Sequence, residues 1–447
     1  MKIKLSEPIS SLEITFATGA KFNGEKRIFT HLSTSSCDAD ENTVFFALQG
    51  KRTSGEEYVR DLNQRKICSV SKQVGENIFT HSSPLVALLK LAKYYKSKLK
   101  KLKHTIAITG SVGKTTTKEF LLCILKEKWT AYANVGNLNS EIGVPLTILS
   151  TPLDCEILIL EFGMNHRGEI KRLSECALPD YALITNIGHA HIGNLGSREA
   201  IASEKMDICA VNPDIPVLVD GKEPLLSPLK NKIALSRDIT FHRPSHDTLD
   251  IRYREREFHL HLSPLSYDTE QCLMFALSMG IVIGTEESVL QKGLENCQHI
   301  PQRRKEIRIN GFKIIDDTYN ASPESMTSAI SFMKELKARR RFAVIGDMLE
   351  LGDYTRELHI ELGRMLADGS FDKIYLFGEF GKYTEEGLLD ARFNQENIYL
   401  FDDIRNCEGL ICALSSQLKR GDACLLKGSN GAKMWRITEG LEEIFAK

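Results

Sequence analysis

At 447 residues the chain is too long for one ordinary hydrophobic core, so two to four domains are expected. Hydrophobic residues make up 42% and charged residues 26%, and the net charge of −1 gives no global field to attract nucleic acid or an anionic membrane. No apolar run approaches the roughly 20 residues of a membrane-spanning helix. The N-terminal MKIKLSEPISSLEI lacks an apolar signal core, so membrane insertion is not expected and a cytoplasmic location is. The 11 cysteines are scattered, odd in number and contain no C-x-x-C pair, which argues against a disulfide framework or a zinc knuckle. Most, such as Cys272 and Cys424, are expected to be small core residues.

Residues 1–83 read as a mixture of short strands and turns, with TVFFAL at 43–48 a strand that ends at Gln49-Gly50. Residues 84–99 read as a helix, with Pro84 in its first turn and Leu85, Leu88, Leu89, Leu91 and Ala92 on one face. The basic run that follows, Lys93 to Lys103, is short and is expected to be a solvated helix end and linker rather than a polyanion contact.

Residues 104–119, HTIAITGSVGKTTTKE, are the most informative stretch. A β-branched strand runs into Gly110-Ser111-Val112-Gly113-Lys114-Thr115-Thr116 and then into a helical pattern. Strand, glycine loop and helix together form a triphosphate cradle: glycines let backbone N–H groups approach phosphate, and the helix N-terminus adds partial positive charge. Lys114 is placed to reach the β- and γ-phosphates, and Thr115 to ligate Mg²⁺. Two residues lie between the two glycines, where the usual motif has four.

Downstream, residues 134–145 (NVGNLNSEIGVP) form a turn-rich loop leading to a helix. Residues 155–165 carry a buried strand with Glu161 at its end, where a carboxylate following a phosphate loop is a good Mg²⁺ ligand. A third strand at 181–185 ends at NIGHAH, which places His189 and His191 beyond a strand end. The stretch SREAIASEKMDICA from Ser197 reads as a helix with Ser197 as N-cap; its Lys205 is a solvated lysine by periodicity alone. Strand-like segments at 216–221 and 250–262 and a helix near 270–283 complete this part. From about 300 onward, strands at 314–317, 341–347, 373–378, 398–401 and 423–428 alternate with helices, which argues for a parallel sheet with helices on both faces.

Taken together, the shortened loop TGSVGKTTT, EFGMNHRGEI at 161–170, TNIGHAH at 185–191 and DDTYNASP at 316–323 resemble the Mur ligases, ATP-dependent amide ligases of cell-wall precursor synthesis, and among them the branch that adds D-alanyl-D-alanine. The resemblance runs over essentially the whole chain and is weakest in the first hundred residues. It implies an α/β protein of three domains: 1–103 for the UDP end of the substrate, 104–299 a central P-loop-type ATPase with a mostly parallel sheet, and 300–447 a Rossmann-like α/β domain. It implies that the tripeptide carboxylate of a UDP-MurNAc-tripeptide is phosphorylated by ATP, and that the amine of D-Ala-D-Ala attacks the resulting acyl phosphate. By resemblance, Lys114, Glu161, His191 and Lys205 carry the chemistry. Thr115 and Glu161 bind one Mg²⁺, His191 helps hold a second, and Lys205 matches a lysine that the family carbamylates into a metal ligand. Asn137 and Asn139 match amides around ATP, and Asp317 with Arg303 or Arg304 matches C-terminal contacts to it. Ser35 and Asn320 are assigned to the substrate.

The chain departs from the family pattern in four places. Thr34-Ser35-Ser36 stands where the family has Asp-Ser-Arg, and Ser54-Gly55-Glu56 stands for Asp-Gly-His. The adenine-side His-Asn run is not recognisable. Asn430 replaces an arginine. Two other readings compete: another member of the superfamily with a different acceptor, such as a folylpolyglutamate synthetase, and a non-catalytic nucleotide switch, which would need an N-K-x-D stretch that the chain lacks. A site lying between three domains of one chain is expected to work as a monomer.

Overall fold

The computed structural model describes residues 1–50, 53–262, 267–297, 305–402 and 407–445. Three sheets follow one another along the chain. The first has six strands in the order Lys2–Ser10, Ile28–Ser33, Thr43–Phe46, Cys68–Ser71, Ile78–Thr80 and Lys21–Asn23. Its inner strands are parallel and its two edge strands antiparallel. Residues 1–83 also hold two helices, which corrects the expectation of strands and turns alone. Ser11–Thr18 starts with a reciprocal Ser10/Glu13 capping box, and Val59–Gln64 follows a 3₁₀ turn.

The second sheet has nine strands. Seven are parallel, in the order Ile239–Ser245, Lys232–Leu235, Val217–Asp220, Tyr181–Ile184, His104–Thr109, Ile157–Glu161 and Ala131–Ala133. The strands Thr248–Tyr253 and Arg256–His261 extend it as antiparallel neighbours. The central run HTIAIT is buried on both faces, as its unbroken apolar and β-branched character requires. The third sheet runs Lys305–Ile309, Phe312–Asp317, Ala423–Lys427, Arg341–Gly346, Lys373–Phe377 and Ile398–Phe401, parallel apart from its first strand.

Of the basic run Lys93 to Lys103, Lys93, Lys100, Lys101 and Lys103 are exposed, as expected of a solvated helix end, while Lys96, the last residue of the helix Pro84–Lys96, and Lys98 are structural ties. Lys96 donates to the Ala177 and Leu178 carbonyls at 2.5 and 2.8 Å, capping the helix Glu169–Ala177, and burial lowers its pKa to about 8. Lys98 bridges Glu7 and Glu13, and Lys103 pairs with Glu156. Cys424 is core, as expected. Cys272 is not: it is partly exposed, on the helix Tyr267–Val282, with its thiol 3.6 Å from the Gly113 carbonyl. Among the described residues no helix is long and apolar enough to cross a membrane.

Candidate active site

The register of three adjacent parallel strands decides what meets at the sheet edge. Ile108 pairs with Glu161, and Thr109 pairs with Ile184. The loops after His104–Thr109, Ile157–Glu161 and Tyr181–Ile184 therefore leave the same edge side by side, which is where open α/β sheets bind ligands. They border a cleft of about 600 Å³, whose other walls come from the helix Pro84–Lys96 (Leu85) and from the end of the strand Phe312–Asp317, the loop after it and the helix Pro323–Glu335 (Asp317, Asn320 and Glu324).

The phosphate loop is shaped by glycine. Gly110 has φ +148°, and a Cβ there would overlap the Thr185 hydroxyl; Gly113, at φ +84°, precedes the helix Lys114–Leu125. Asn186 holds the loop in place. Its Oδ1 accepts from the Ser111 and Val112 N–H groups at 3.2 and 2.9 Å, and its Nδ2 donates to the Val112 carbonyl. Thr185 Oγ1 donates to the same carbonyl at 2.6 Å. Two of the loop N–H groups expected to face phosphate are thus spent on Asn186. The first turn of the helix Lys114–Leu125 carries Lys114, Thr115 and Thr116 at its N-terminus, the end whose partial positive charge favours an anion. Lys114 Nζ folds back onto the Gly110 and Ser111 carbonyls at 2.8 and 3.2 Å.

Glu161 is buried, and both its carboxylate oxygens are engaged: Oε2 accepts from Thr115 Oγ1 at 2.6 Å and Oε1 from Asn139 Nδ2 at 2.7 Å. Its backbone is clamped by the buried Asn134, whose Oδ1 accepts from Glu161 N and whose Nδ2 donates to Glu161 O and Leu138 O. Lys118, buried on the helix, holds the Asn134 carbonyl.

His191 sits at φ +67° before the short helix Ile192–Leu195, with Nδ1 2.7 Å from Glu350 Oε2. Lys205 is fully buried on the helix Arg198–Met206, so periodicity misread it as solvated. Burial lowers its pKa well below the ordinary lysine value; nearby Lys114 lowers it further, while Glu204 and Glu324 oppose the shift.

From the third sheet, Asp317 pairs with the buried Lys427 at 2.8 Å, and Lys427 also donates to the Asn320 carbonyl. Asp316 instead binds Thr318 and Thr438 and is structural. Glu324, in the first turn of the helix Pro323–Glu335, accepts from both the backbone N–H and Nδ1 of His189 at 2.7 Å.

Ser111, Val112, Gly113, Lys114, Thr116, Asn137, Asn139, Glu161, His191, Asp317 and Asn320 therefore border one cleft. Gly110 and Thr115 lie within its loop, and Lys205 is buried near Lys114. Ser35 is not part of the cleft wall; it follows the strand Ile28–Ser33 and is bonded to Ser33. Arg303 and Arg304 lie outside the described residues. Among the described residues no three His, Cys, Asp or Glu side chains converge as a ready-made metal cage.

The family model of the Mur ligase middle domain matches residues 108–273, and that of the Mur ligase glutamate ligase domain matches residues 302–430. The UDP-N-acetylmuramoyl-tripeptide–D-alanyl-D-alanine ligase of Bacillus subtilis (strain 168) is 31% identical, over 96% of this chain and 97% of that protein. This chain belongs to the Mur ligase family. Two solved MurF structures share its whole architecture. That from Acinetobacter baumannii superposes with a TM-score of 0.86 at 26% identity, covering 99% of this chain and all of the other. That from Thermotoga maritima, in complex with ADP, gives 0.79 at 28% identity, covering 93% and 97%.

In this Mur ligase, sequence reasoning passed over Asn134, Thr185, Asn186, Glu324 and Lys427 as site residues. Asn134 opened a turn-rich run already singled out and Asn186 followed a strand end at Thr185; a side-chain amide at such a place is a signal for loop clamping. Glu324 and Lys427 carried no local signal, because only the packing of the third sheet against the second brings them to the cleft.

Proposed function

We propose that this Mur ligase joins D-alanyl-D-alanine to UDP-N-acetylmuramoyl-tripeptide at the expense of ATP, giving the pentapeptide precursor of peptidoglycan. The observation that carries the reading is the cleft itself: phosphate loop, Glu161, His191 and the Asp317–Asn320 segment of the third sheet facing one another. The three sheets support domains at 1–103, 104–299 and 300–447. One chain supplies every wall, which supports a monomer, and the use of ATP supports a cytoplasmic reaction.

A carboxylate is a poor electrophile, and phosphorylation gives it a leaving group. Two anions must meet for that, so positive charge has to be fixed in place beforehand. Lys114 and the N-terminus of its helix supply it beside the phosphates. Lys114 is folded onto its own loop and must swing outward to reach a γ-phosphate. Asn186 and Thr185 keep the loop from yielding as it does so. Asn137 and Asn139 flank the nucleotide, and Asn139 also orients Glu161.

The donor set at Thr115 and Glu161, one hydroxyl and one carboxylate, fits Mg²⁺, a hard cation that takes oxygen ligands, and these two residues would hold it. When bound, Mg²⁺ neutralises charge on the transferring phosphoryl group. His191 and Lys205 would fit a second Mg²⁺ only if Lys205 is carbamylated, since an ammonium repels the ion and an amine nitrogen is a poor ligand for it, whereas a carbamate offers oxygen donors. Its burial favours the neutral amine that can add to carbon dioxide, forming an N–C bond and releasing a proton to leave a carbamate. Asp317, held by Lys427, and Asn320 lie on the segment that covers the cleft, where they exclude water from the acyl phosphate.

The test is phosphate release with UDP-MurNAc-tripeptide, with and without D-Ala-D-Ala. Release that needs both supports the ligase; release that needs neither leaves a nucleotide hydrolase. Lys205→Ala should lose release and recover part of it with acetate or formate. A mutant that acetate leaves inactive counts against the carbamate.

A further inference from the structure

Among the described residues, five carboxylates border the cleft: Glu141, Glu161, Glu169, Asp317 and Glu324. Glu141 pairs with Arg172, Glu161 is held by Thr115 and Asn139, Glu169 accepts from Asn165 N, and Asp317 pairs with Lys427. Glu324 differs. Its Oε1 takes both bonds from His189, while Oε2 is buried and, among the described residues, has no hydrogen-bond partner. A buried carboxylate oxygen left unpaired is costly and implies a donor that arrives with a ligand.

The carboxylate is charged: burial alone would raise its pKa, but the His189 ring and the backbone N–H groups of Glu324 and His189 outweigh that and leave it below the ordinary value. It rests against Gly188, where any Cβ would overlap it. Gly188 donates its N–H to Ser111 Oγ of the phosphate loop at 2.9 Å, so the carboxylate stands near the phosphate end of the cleft. About a third of the side chain, 31%, remains exposed, and a carboxylate's terminal torsion is soft enough to present Oε2 there.

Resting on the function proposed above, we infer that Glu324 recognises the α-ammonium of the incoming D-alanyl-D-alanine and sets the acceptor amine beside the acyl phosphate. The triphosphate and the carboxylate to be phosphorylated are anions that this group repels; the acceptor is the partner that brings a cation to that place. His189 is a positioning residue, holding Oε1 so that Oε2 is left for the substrate.

The experiment is steady-state phosphate release by wild type, Glu324→Gln and His189→Ala, varying each substrate in turn, with D-lactoyl-D-alanine as a competitive analogue that has a hydroxyl in place of the ammonium. Glu324→Gln should raise KM for D-Ala-D-Ala about 10- to 100-fold, leave KM for ATP and UDP-MurNAc-tripeptide unchanged, and erase the preference for the dipeptide over its lactoyl analogue. An unchanged dipeptide KM overturns the inference. So does a parallel rise in all three KM values matched by His189→Ala, the signature of a mere domain tie. A selective rise for the UDP-tripeptide, or in the Mg²⁺ requirement, assigns the carboxylate to another ligand and overturns it too. Failure of the ligase reading shows differently, as wild-type release that ignores the dipeptide.

Discussion

The Thr115 hydroxyl donates a 2.6 Å hydrogen bond to Glu161 Oε2 across 46 residues of sequence. The bond exists because the loop and helix that follow His104–Thr109 leave the sheet at the edge where the neighbouring parallel strand ends at Glu161, in the register Ile108 to Glu161. It brings one hydroxyl and one carboxylate together as hard oxygen donors before any ion arrives. Thr115→Val and Glu161→Gln should each lower phosphate release about 100-fold or more and raise the Mg²⁺ concentration needed for half-maximal rate. A Mg²⁺ titration of each variant checks this; an unaltered Mg²⁺ requirement would remove both residues from the ion's site.

Asn134 bonds to backbone on both sides of the cleft floor, at Glu161 N, Glu161 O and Leu138 O. Asn134→Ala leaves these groups short of partners in a buried setting. It should destabilise the chain by about 3 kcal/mol, read as a lower urea midpoint, and it should lower activity because Glu161 loses its anchor. Asn134→Asp keeps the acceptor and should cost less in its bond to Glu161 N than alanine does.

The Asp347 carboxyl follows the strand Arg341–Gly346 and accepts from Glu379 N and Phe380 N at 3.0 and 3.1 Å. Burial raises its pKa from 3.8 to about 6, with those two bonds opposing the shift. Between these values the folded chain holds a proton that the unfolded chain has lost. This group's contribution is therefore full below the unfolded value and falls as pH rises through the window from 3.8 to about 6. Asp347→Asn removes the dependence, so variant and wild type should diverge by up to about 3 kcal/mol in the variant's favour on going from acid to neutral pH. Urea unfolding at both ends of the window measures it, and parallel curves would contradict the assignment.

Gly193 and Gly352 bring two backbones into contact between the second and third sheets, flanked by bonds from Gly193 N to Glu350 O and from Tyr354 Oη to Gly196 O. Gly352 is in the left-handed region, at φ +55°. Gly193→Ala places a methyl group against the Gly352 nitrogen and should hold the third sheet away from the cleft. Turnover should fall about tenfold or more, with an unchanged thermal midpoint for unfolding. A loss of both activity and midpoint would mean that the methyl disrupts the local fold instead.

Local chemistry in the chain was enough to specify much of this molecule. The run HTIAIT, the Gly110 to Thr116 loop and its helix were legible because a buried strand, a glycine-shaped turn and a helix N-terminus each have a sequence signature within a few residues. The strand ending at Glu161 and the Ser197 cap followed from the same short-range rules. What stayed hidden depends on residues far apart in sequence meeting in space. Lys205 has the helical spacing of a solvated lysine, yet the packing of its helix seals it away from water. Cys272 looked like core until the helix Tyr267–Val282 docked beside Gly113. The Ser11–Thr18 helix, short and rich in residues that suit strands, was decided by its capping box and its packing on Pro84–Lys96. Strand register put Thr115 beside Glu161, and the closure of the third sheet put Glu324 on His189. Hydrogen bonds and ion pairs act over a few ångströms, so they are set by register and docking; the sequence named the groups, and tertiary structure chose their partners.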